Sequence, residues 1–140
     1  MNTNQIKDRL VHAQSYTRLL LESKQYSFRE LTPSMLENKP GVYAIFDRTD
    51  GRTLYVGRTK KMRRRLYTNH LMGPETNARL KKYLVKDKKR EDIPDMTAAK
   101  QYLQENCYVQ FIYIDDTEER GRVEGLLSFM LNVVYIHEEH

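Results

Sequence analysis

The feature that most constrains the fold is a pair of short apolar runs on either side of Asp50-Gly51. Residues 42–47 read Val-Tyr-Ala-Ile-Phe-Asp, and residues 53–57 read Thr-Leu-Tyr-Val-Gly. Runs of this length, rich in β-branched and aromatic residues, predict strands, and an Asp-Gly between them is typical of a hairpin turn. The sequence therefore predicts an antiparallel hairpin with Tyr43 on its first strand and Tyr55 on its second.

The length of the hairpin loop decides whether the two tyrosines share a face of the sheet. A two-residue loop puts them on opposite faces, because successive side chains alternate along a strand. A three-residue loop, 49–51 with Gly51 left-handed in a bulge, pairs residue 45 with residue 55 and puts both on one face. The sequence allows both loops. We expect the three-residue loop, because a shared site for both tyrosines requires it.

Helical patterns surround the hairpin. An apolar stripe predicts a helix over 3–24 that packs on its own domain or pairs with a second protomer; its members are Ile6, Leu10, Ala13, Thr17 and Leu20. The other predicted elements are a short helix from Thr32, helices over 60–72 (capped by Thr59), 76–87 and 96–105, a strand over 108–114, and a last helix capped by Asp116.

This order of elements predicts an α/β fold with a small, mostly antiparallel three-stranded sheet flanked by helices. We expect an N-terminal helical extension over 1–38 and one domain over 39–140. The single cysteine, Cys107, and the lack of an apolar run of roughly 18 residues favour a cytoplasmic protein with no disulfide and no membrane span.

The charge is distributed very unevenly along the chain. The net charge is +5, but residues 58–90 carry 13 basic and 2 acidic side chains, whereas residues 91–140 carry 3 basic and 11 acidic ones. A basic block of this density within a globular chain indicates a partner with many phosphates, which makes nucleic acid the expected ligand.

Four elements of the sequence together resemble the GIY-YIG nuclease superfamily, which includes homing endonucleases, repair-nuclease subunits and some restriction enzymes. They are Gly41-Val42-Tyr43, Tyr55-Val56-Gly57, Arg65 ten residues after Tyr55, and Glu124 far downstream. The resemblance covers roughly residues 40–137. It implies a metal-dependent endonuclease that acts on DNA, with RNA as an alternative substrate.

The resemblance also implies a role for each residue. We expect Tyr43 to be the base that activates water and Tyr55 to orient water or phosphate, although the sequence does not decide between them. Arg65 is expected to stabilise phosphate charge with its planar guanidinium. Glu124 is expected to hold one Mg²⁺ or Mn²⁺, a hard cation that keeps most of its waters and so needs few protein ligands.

The remaining candidates support this centre. Arg58, Lys60, Lys61, Arg63 and Arg64 are expected to bind nucleic acid. Gly41 and Gly57 are expected to be structural, with Gly57 permitting a sharp exit from its strand. His70 is a candidate catalytic residue, one position later than the histidine or tyrosine that many relatives carry; Asn69 occupies that position here. Asn132 or His137 is the candidate for the family's late asparagine.

The sequence departs from the family pattern in two places: Asn69 stands where many relatives carry a histidine or tyrosine, and no asparagine lies at the expected late position. These departures keep a second function open, a catalytically weak or inactive nucleic-acid-binding module of the same fold. Cutting both strands with one metal site requires either two sequential events or a dimer. The N-terminal helix is the candidate surface for a homodimer. No membrane partner is expected.

Overall fold

The computed structural model describes residues 1–67 and 79–136. Along these residues the elements are α1 (Thr3–Glu22), β1 (Tyr26–Ser27), a 3₁₀ turn (Pro33–Met35), β2 (Gly41–Asp47), β3 (Thr53–Thr59), a helical segment at 62–67, α2 (Arg79–Lys86), α3 (Met96–Asn106), β4 (Cys107–Tyr113) and α4 (Thr117–Met130). The predicted α/β class is confirmed. Of the helices described, none combines the length and the hydrophobicity that a membrane crossing needs.

The sheet contains four antiparallel strands in the order β1-β4-β2-β3, so the prediction of three strands is wrong. The added strand, β1, pairs Tyr26 with Val109, and the Tyr26 ring stacks on Phe111 at 5.4 Å between centroids. Two residues are too few for an alternating pattern to be visible in sequence. This strand therefore depends on tertiary contacts with β4.

The hairpin has the predicted pairing of Ile45 with Tyr55, so the two tyrosines share a face. The predicted three-residue loop is wrong in detail. The Asp47 N–H donates to the Arg52 carbonyl at 2.9 Å, which closes a four-residue loop over 48–51. Gly51 is left-handed in it, with φ of 75°.

A bulge at Leu54 restores the register that the longer loop would otherwise shift. Phe46 pairs with Thr53 and Ile45 pairs with Tyr55, so Leu54 is the extra residue. The chain after α4 binds here: the N–H groups of residues 134 and 135 donate to the carbonyls of Thr53 and Leu54 at 2.9 and 3.1 Å. The C-terminal segment thus covers this part of the β3 edge.

Each face of the sheet has its own core. We call the first the tyrosine face; it buries Tyr43, Ile45, Leu54 and Tyr55 with side chains from the 3₁₀-turn region, the 62–67 segment, α2 and α3. We call the second the α4 face; α1 contributes Leu20 and α4 contributes Val123 and Leu127 to it. Its strand residues are Val42, Ala44, Phe46, Val56 and Ile112.

The N-terminal helix is anchored to the domain mainly through its second half. Leu20 is fully buried on the α4 face and Ala13 and Thr17 are half-buried, but Ile6 and Leu10 are 46% and 62% exposed. The division of the chain at residue 38 stays a prediction. Side chains before that point already join the tyrosine-face core, namely Phe28, Leu31 and Leu36.

Candidate active site at the edge of the sheet

Tyr43 and Tyr55 lie side by side on the tyrosine face. Their ring centroids are 6.2 Å apart and their planes differ by 30°. Tyr43 is 1% exposed and Tyr55 is 7% exposed. Packing on all sides therefore fixes both rings, and little reorganisation is needed to bring the phenols together.

Gly57 allows the Tyr43 ring to reach the edge of the sheet. Tyr43 pairs with Gly57 across the two strands, and a Cβ at Gly57 would lie 2.5 Å from the Tyr43 hydroxyl oxygen. The predicted sharp exit at Gly57 is wrong, because β3 continues to Thr59. The glycine is required because the phenol occupies the space of its missing side chain.

Gly41 serves a different close approach, at the start of β2. A Cβ there would lie 2.7 Å from the Met62 Cε and would also collide with the Ile112 carbonyl oxygen on β4. The missing side chain lets the 62–67 segment approach the sheet closely. The segment is further held by a hydrogen bond from the Met62 N–H to the Lys39 carbonyl at 2.9 Å.

The pKa of both phenols is raised above its ordinary value. For Tyr43 the pKa is raised well above, first by burial and then by the neighbouring Tyr55, while the positive charge of Arg65 acts in the opposite direction. Burial also raises the pKa of Tyr55, and Arg79 and Arg65 oppose that rise. The cations act to lower the pKa of each phenol, but burial outweighs them.

Two further tyrosines brace Tyr55. The ring of Tyr83 on α2 packs against it at 6.4 Å, and Tyr135 stacks on Tyr83 at 5.8 Å with planes 10° apart. The Tyr135 hydroxyl donates to the Asp87 carboxylate at 2.7 Å. Tyr83 lies within a helix that the sequence predicts, but no local signal marks the role of Tyr135.

Arg65 lies where the 62–67 segment faces the phenols. Its backbone N–H donates to the Lys61 carbonyl at 3.0 Å. Its Nε is buried and has no hydrogen-bond acceptor among the residues that the structure describes. A buried guanidinium nitrogen without an acceptor is costly, so this atom is poised for an anionic oxygen.

Arg79 is a site residue that the sequence analysis missed. It begins α2, one turn before Tyr83, so the two share a face of the helix. Its positive charge lowers the pKa of both phenols. Its membership of the basic block was visible in sequence, but no motif spacing distinguished it from the lysines nearby.

Glu124 approaches from the opposite face of the sheet. It lies on α4 between Val123 and Leu127, its side chain is 28% exposed, and its Oε1 is 3.7 Å from the Arg58 Nε. Its negative charge contributes to the raised pKa of both phenols, and its partner Arg58 directly follows Gly57, which the Tyr43 hydroxyl overlies. Groups from the two faces therefore meet at the β3 edge, where Gly57 has no side chain.

Arg120, one helical turn before Glu124, is the residue that would pair with Glu124 if it were an ordinary surface glutamate, but its guanidinium binds elsewhere. Arg120 is buried, and its Nη1 donates to the carbonyls of Ile114 and Asp115 at 3.1 and 2.9 Å. Arg120 thus ties the start of α4 to the end of β4. In the described part of the chain, no group of three or more His, Cys, Asp or Glu side chains could hold a metal ion.

A basic groove of about 640 Å³ adjoins the phenols. Six of its eight lining residues are cationic; the lining consists of Arg58, Thr59, Lys60, Lys61, Arg64, Arg65, Thr117 and Arg120. Four of the five predicted nucleic-acid-binding residues are among them. Because Arg65 lines the groove and also faces the tyrosines, a phosphate held in the groove would lie beside the phenols.

The fifth predicted nucleic-acid-binding residue, Arg63, is not among the residues that line the groove. Its Nε donates to the carbonyls of Pro33 and Leu36 at 3.1 and 2.9 Å, which ties the 62–67 segment to the 3₁₀-turn region. Arg63 and Arg65 therefore point in different directions, since Arg63 contacts the 3₁₀-turn region and Arg65 lines the groove. The structure thus gives Arg63 a structural contact that its sequence position did not predict.

Of the three remaining candidates, the structure describes one, Asn132. His70 and His137 lie outside the described residues. Asn132 follows α4 in the left-handed region, with φ of 50°, and its N–H donates to the Phe129 carbonyl at 3.2 Å. A left-handed residue after a helix is a common way to end it, so Asn132 has at least this structural role.

Comparison with known protein families gives one match to the site. A sequence model described as the GIY-YIG catalytic domain matches residues 39–108, half of the chain. The matched range contains both tyrosines and six of the eight residues that line the groove, Arg65 among them. The other two groove residues, Thr117 and Arg120, lie after it, as does Glu124. Comparison with curated protein sequences and with solved structures gives no significant match.

Proposed function

This chain belongs to the GIY-YIG family, and we propose that it is a metal-dependent endonuclease that hydrolyses phosphodiester bonds in DNA. The observation that carries the proposal is the convergence of two phenols, one guanidinium and one carboxylate at the β3 edge, beside a basic groove. Each of these groups has a use in moving a proton or in stabilising charge on phosphorus.

The groove binds the nucleic-acid backbone. Four of its cations, Arg58, Lys60, Lys61 and Arg64, come from one short stretch of chain and line the groove together. Contacts of this kind neutralise phosphates without reading bases, so we expect strongly salt-dependent binding with little sequence preference from these residues. RNA presents the same phosphates and is the alternative substrate.

Arg65 stabilises the charge that develops on phosphorus. Its buried Nε, for which the described residues provide no acceptor, supports a role in donating a hydrogen bond to a phosphate oxygen. A guanidinium can donate two parallel hydrogen bonds to a phosphate, whereas a lysine ammonium cannot. Arg79 adds positive charge from the α2 side.

We assign transfer of the water proton to Tyr43 and orientation of water or phosphate to Tyr55. The Tyr43 hydroxyl lies over Gly57 at the edge, where Glu124 also approaches. Burial keeps the pKa of this phenol high in the free protein, so the phenolate form needs positive charge to be stabilised. Arg65 and Arg79 supply part of it.

Glu124 would hold the divalent cation, Mg²⁺ or Mn²⁺. The carboxylate suits a hydrated cation, because it is partly exposed and its contact to Arg58 at 3.7 Å is too long for a hydrogen bond. When bound, the cation supplies positive charge next to the scissile phosphate and the attacking water. Glu124 itself holds its position through Val123 and Leu127, which anchor α4 on the sheet.

A plasmid-nicking assay tests the proposal, with Mg²⁺ in one series and EDTA in the other. The Glu124→Ala variant should still bind DNA and lose cleavage by about 10²-fold or more. The matched control is Glu118→Ala, on the same helix, where the carboxylate contacts Arg122 and is 81% exposed. Cleavage that is retained in Glu124→Ala, or that is equally lost in Glu118→Ala, would contradict the proposal.

One observation favours the second candidate, a nucleic-acid-binding module without efficient catalysis. The pKa of both phenols is raised by burial, which disfavours the phenolate that a base requires. DNA binding without cleavage in Mg²⁺, Mn²⁺ and other divalent cations would support this module over the endonuclease.

We also propose that two copies act together through α1, so that one metal site serves each DNA strand. The support is the exposed part of the predicted stripe, Ile6 and Leu10, on a helix whose second half is anchored to the domain.

A further inference from the structure

Arg58 borders two parts of the candidate site at once. It lines the basic groove, and its Nε lies 3.7 Å from the Oε1 of Glu124. More than half of the Arg58 side chain is exposed. The guanidinium can therefore interact with a phosphate in the groove or with the carboxylate at the edge.

Gly121 provides the space that brings Arg58 to Glu124. It lies three residues before Glu124 on α4, and a Cβ there would collide with the Arg58 Nη1. A helix with an internal glycine is less stable than one with an alanine there, so Gly121 lowers helix stability while it makes room for the Arg58 guanidinium. Gly125 on the same helix has no atom within 4 Å of such a Cβ, so the requirement is specific to Gly121.

The contact between Arg58 and Glu124 is loose enough to be exchanged. At 3.7 Å it is an ion pair without a hydrogen bond, and both side chains are partly exposed. A guanidinium and a divalent cation repel one another, so both bind one carboxylate poorly at the same time. A phosphate in the groove offers Arg58 an alternative anion.

We propose that Arg58 is a positioning residue that moves from Glu124 to a backbone phosphate when nucleic acid enters the groove. Nucleic-acid binding thereby frees Glu124 for the divalent cation, and cation binding in turn strengthens nucleic-acid binding, because such coupling is reciprocal. The inference rests on the proposed role of Glu124 as the cation ligand.

Direct Mn²⁺ binding, measured by electron paramagnetic resonance on the full chain without nucleic acid, tests the exchange. Arg58→Gln should bind Mn²⁺ about fivefold more tightly than the unmodified protein, since its glutamate is no longer paired. Gly121→Ala, which displaces the guanidinium, should have the same effect, and the matched Gly125→Ala should have none. Mn²⁺ affinity that is unchanged or weaker in Arg58→Gln would overturn the inference.

A second measurement examines the phosphate contact. In EDTA, Arg58→Gln should bind duplex DNA with a salt dependence reduced by about one phosphate charge. An unchanged salt dependence would also overturn the inference, because Arg58 would then have no phosphate partner.

Glu124→Gln separates this inference from the proposed function. If Glu124→Gln binds Mn²⁺ like the unmodified protein, Glu124 is not the cation ligand, and the proposed function fails with the inference. If Glu124→Gln loses Mn²⁺ while Arg58→Gln binds it no more tightly, Glu124 remains the ligand and only the exchange is refuted.

Discussion

The two faces of the sheet hold their functional groups in different ways. On the tyrosine face the phenols are almost fully buried, and Tyr55 is braced by Tyr83. On the α4 face Glu124 and Arg58 are partly exposed and joined by one loose ion pair. The phenols are fixed by packing, whereas the charged pair can change partners.

The difference follows from the cost of burial. A phenol is neutral at pH 7 and can be buried cheaply, but an ionised group loses far more solvation. The same burial raises the pKa of Tyr43 and Tyr55, so the face that holds the phenols in place also keeps them protonated. Positive charge is needed to activate them, and Arg65 and Arg79 contribute to it.

Arg65 is the largest test of this comparison, because its positive charge acts on both buried phenols. Arg65→Gln should lower the cleavage rate by about 10²–10³-fold while leaving the fold intact. The matched control is Arg63→Gln, two residues away, which loses its bonds to two backbone carbonyls. It should lower the free energy of unfolding by about 1–2 kcal/mol and leave the rate per folded molecule unchanged.

Cleavage assays and urea unfolding of both arginine variants separate rate from stability. Equal kinetic damage from the two substitutions would show that the tyrosine face does not distinguish the two arginines.

Gly57→Ala tests whether the two faces must meet at this residue. The added Cβ would overlap the Tyr43 hydroxyl, so the ring has to move. A displacement of about 1 Å can lower a rate about 10²-fold, and overpacking costs roughly 1–3 kcal/mol of stability. Gly125→Ala, which meets no neighbouring atom, is the control and should retain the rate. Full activity in Gly57→Ala would mean that the position of Tyr43 is unimportant.

The parts of the site that sequence predicted are those encoded within a few residues of one another. The two hairpin strands and the basic start of the 62–67 segment follow from local patterns, whereas the choice of pairing comes from the need for a shared site and the role of Glu124 from the family resemblance. The contacts that these groups make with distant segments of the chain do not follow from local patterns. The bulge at Leu54 depends on N–H groups from residues 134 and 135, some 80 positions away.

The two arginines that sequence treated incompletely illustrate the same limit. Arg63 is predicted to bind nucleic acid, but its acceptors are carbonyls at residues 33 and 36. Arg79 was counted only as part of a basic block, although α2 brings it to the phenols through Tyr83. In each case a contact between distant segments decides the role of the residue, and that contact cannot be predicted from residue spacing.

Alkaline stability tests the burial of Tyr43 with a smaller effect. Because the pKa of Tyr43 is raised on folding, its contribution to stability is complete below about pH 10, the unfolded value, and is lost as pH rises towards the folded value. The free energy of unfolding, measured in urea from pH 8 to 11.5, should fall less steeply in Tyr43→Phe. One phenol changes the slope by at most about 1.4 kcal/mol per pH unit. Identical slopes would contradict its burial.

Leu10→Glu tests the exposed part of α1, the helix that packs on the α4 face. Of the variants proposed, it should have the smallest effect on the free energy of unfolding of the single chain. Leu10 is 62% exposed, so the free energy of unfolding should change by no more than about 0.5 kcal/mol. If two copies pair through α1, analytical ultracentrifugation should show a dimer for the unmodified protein and a monomer for Leu10→Glu. Double-strand cuts should then become rarer relative to nicks.

The control for Leu10→Glu is Leu20→Ala, on the same helix but fully buried, which should cost about 2–5 kcal/mol. This pair of variants separates two uses of one stripe: Leu20 anchors α1 to its own domain, and Leu10 is available to a second copy. A monomer in the unmodified protein at all concentrations would refute the dimer. The endonuclease proposal would then require each strand to be cut in a separate event, because one chain offers one Glu124.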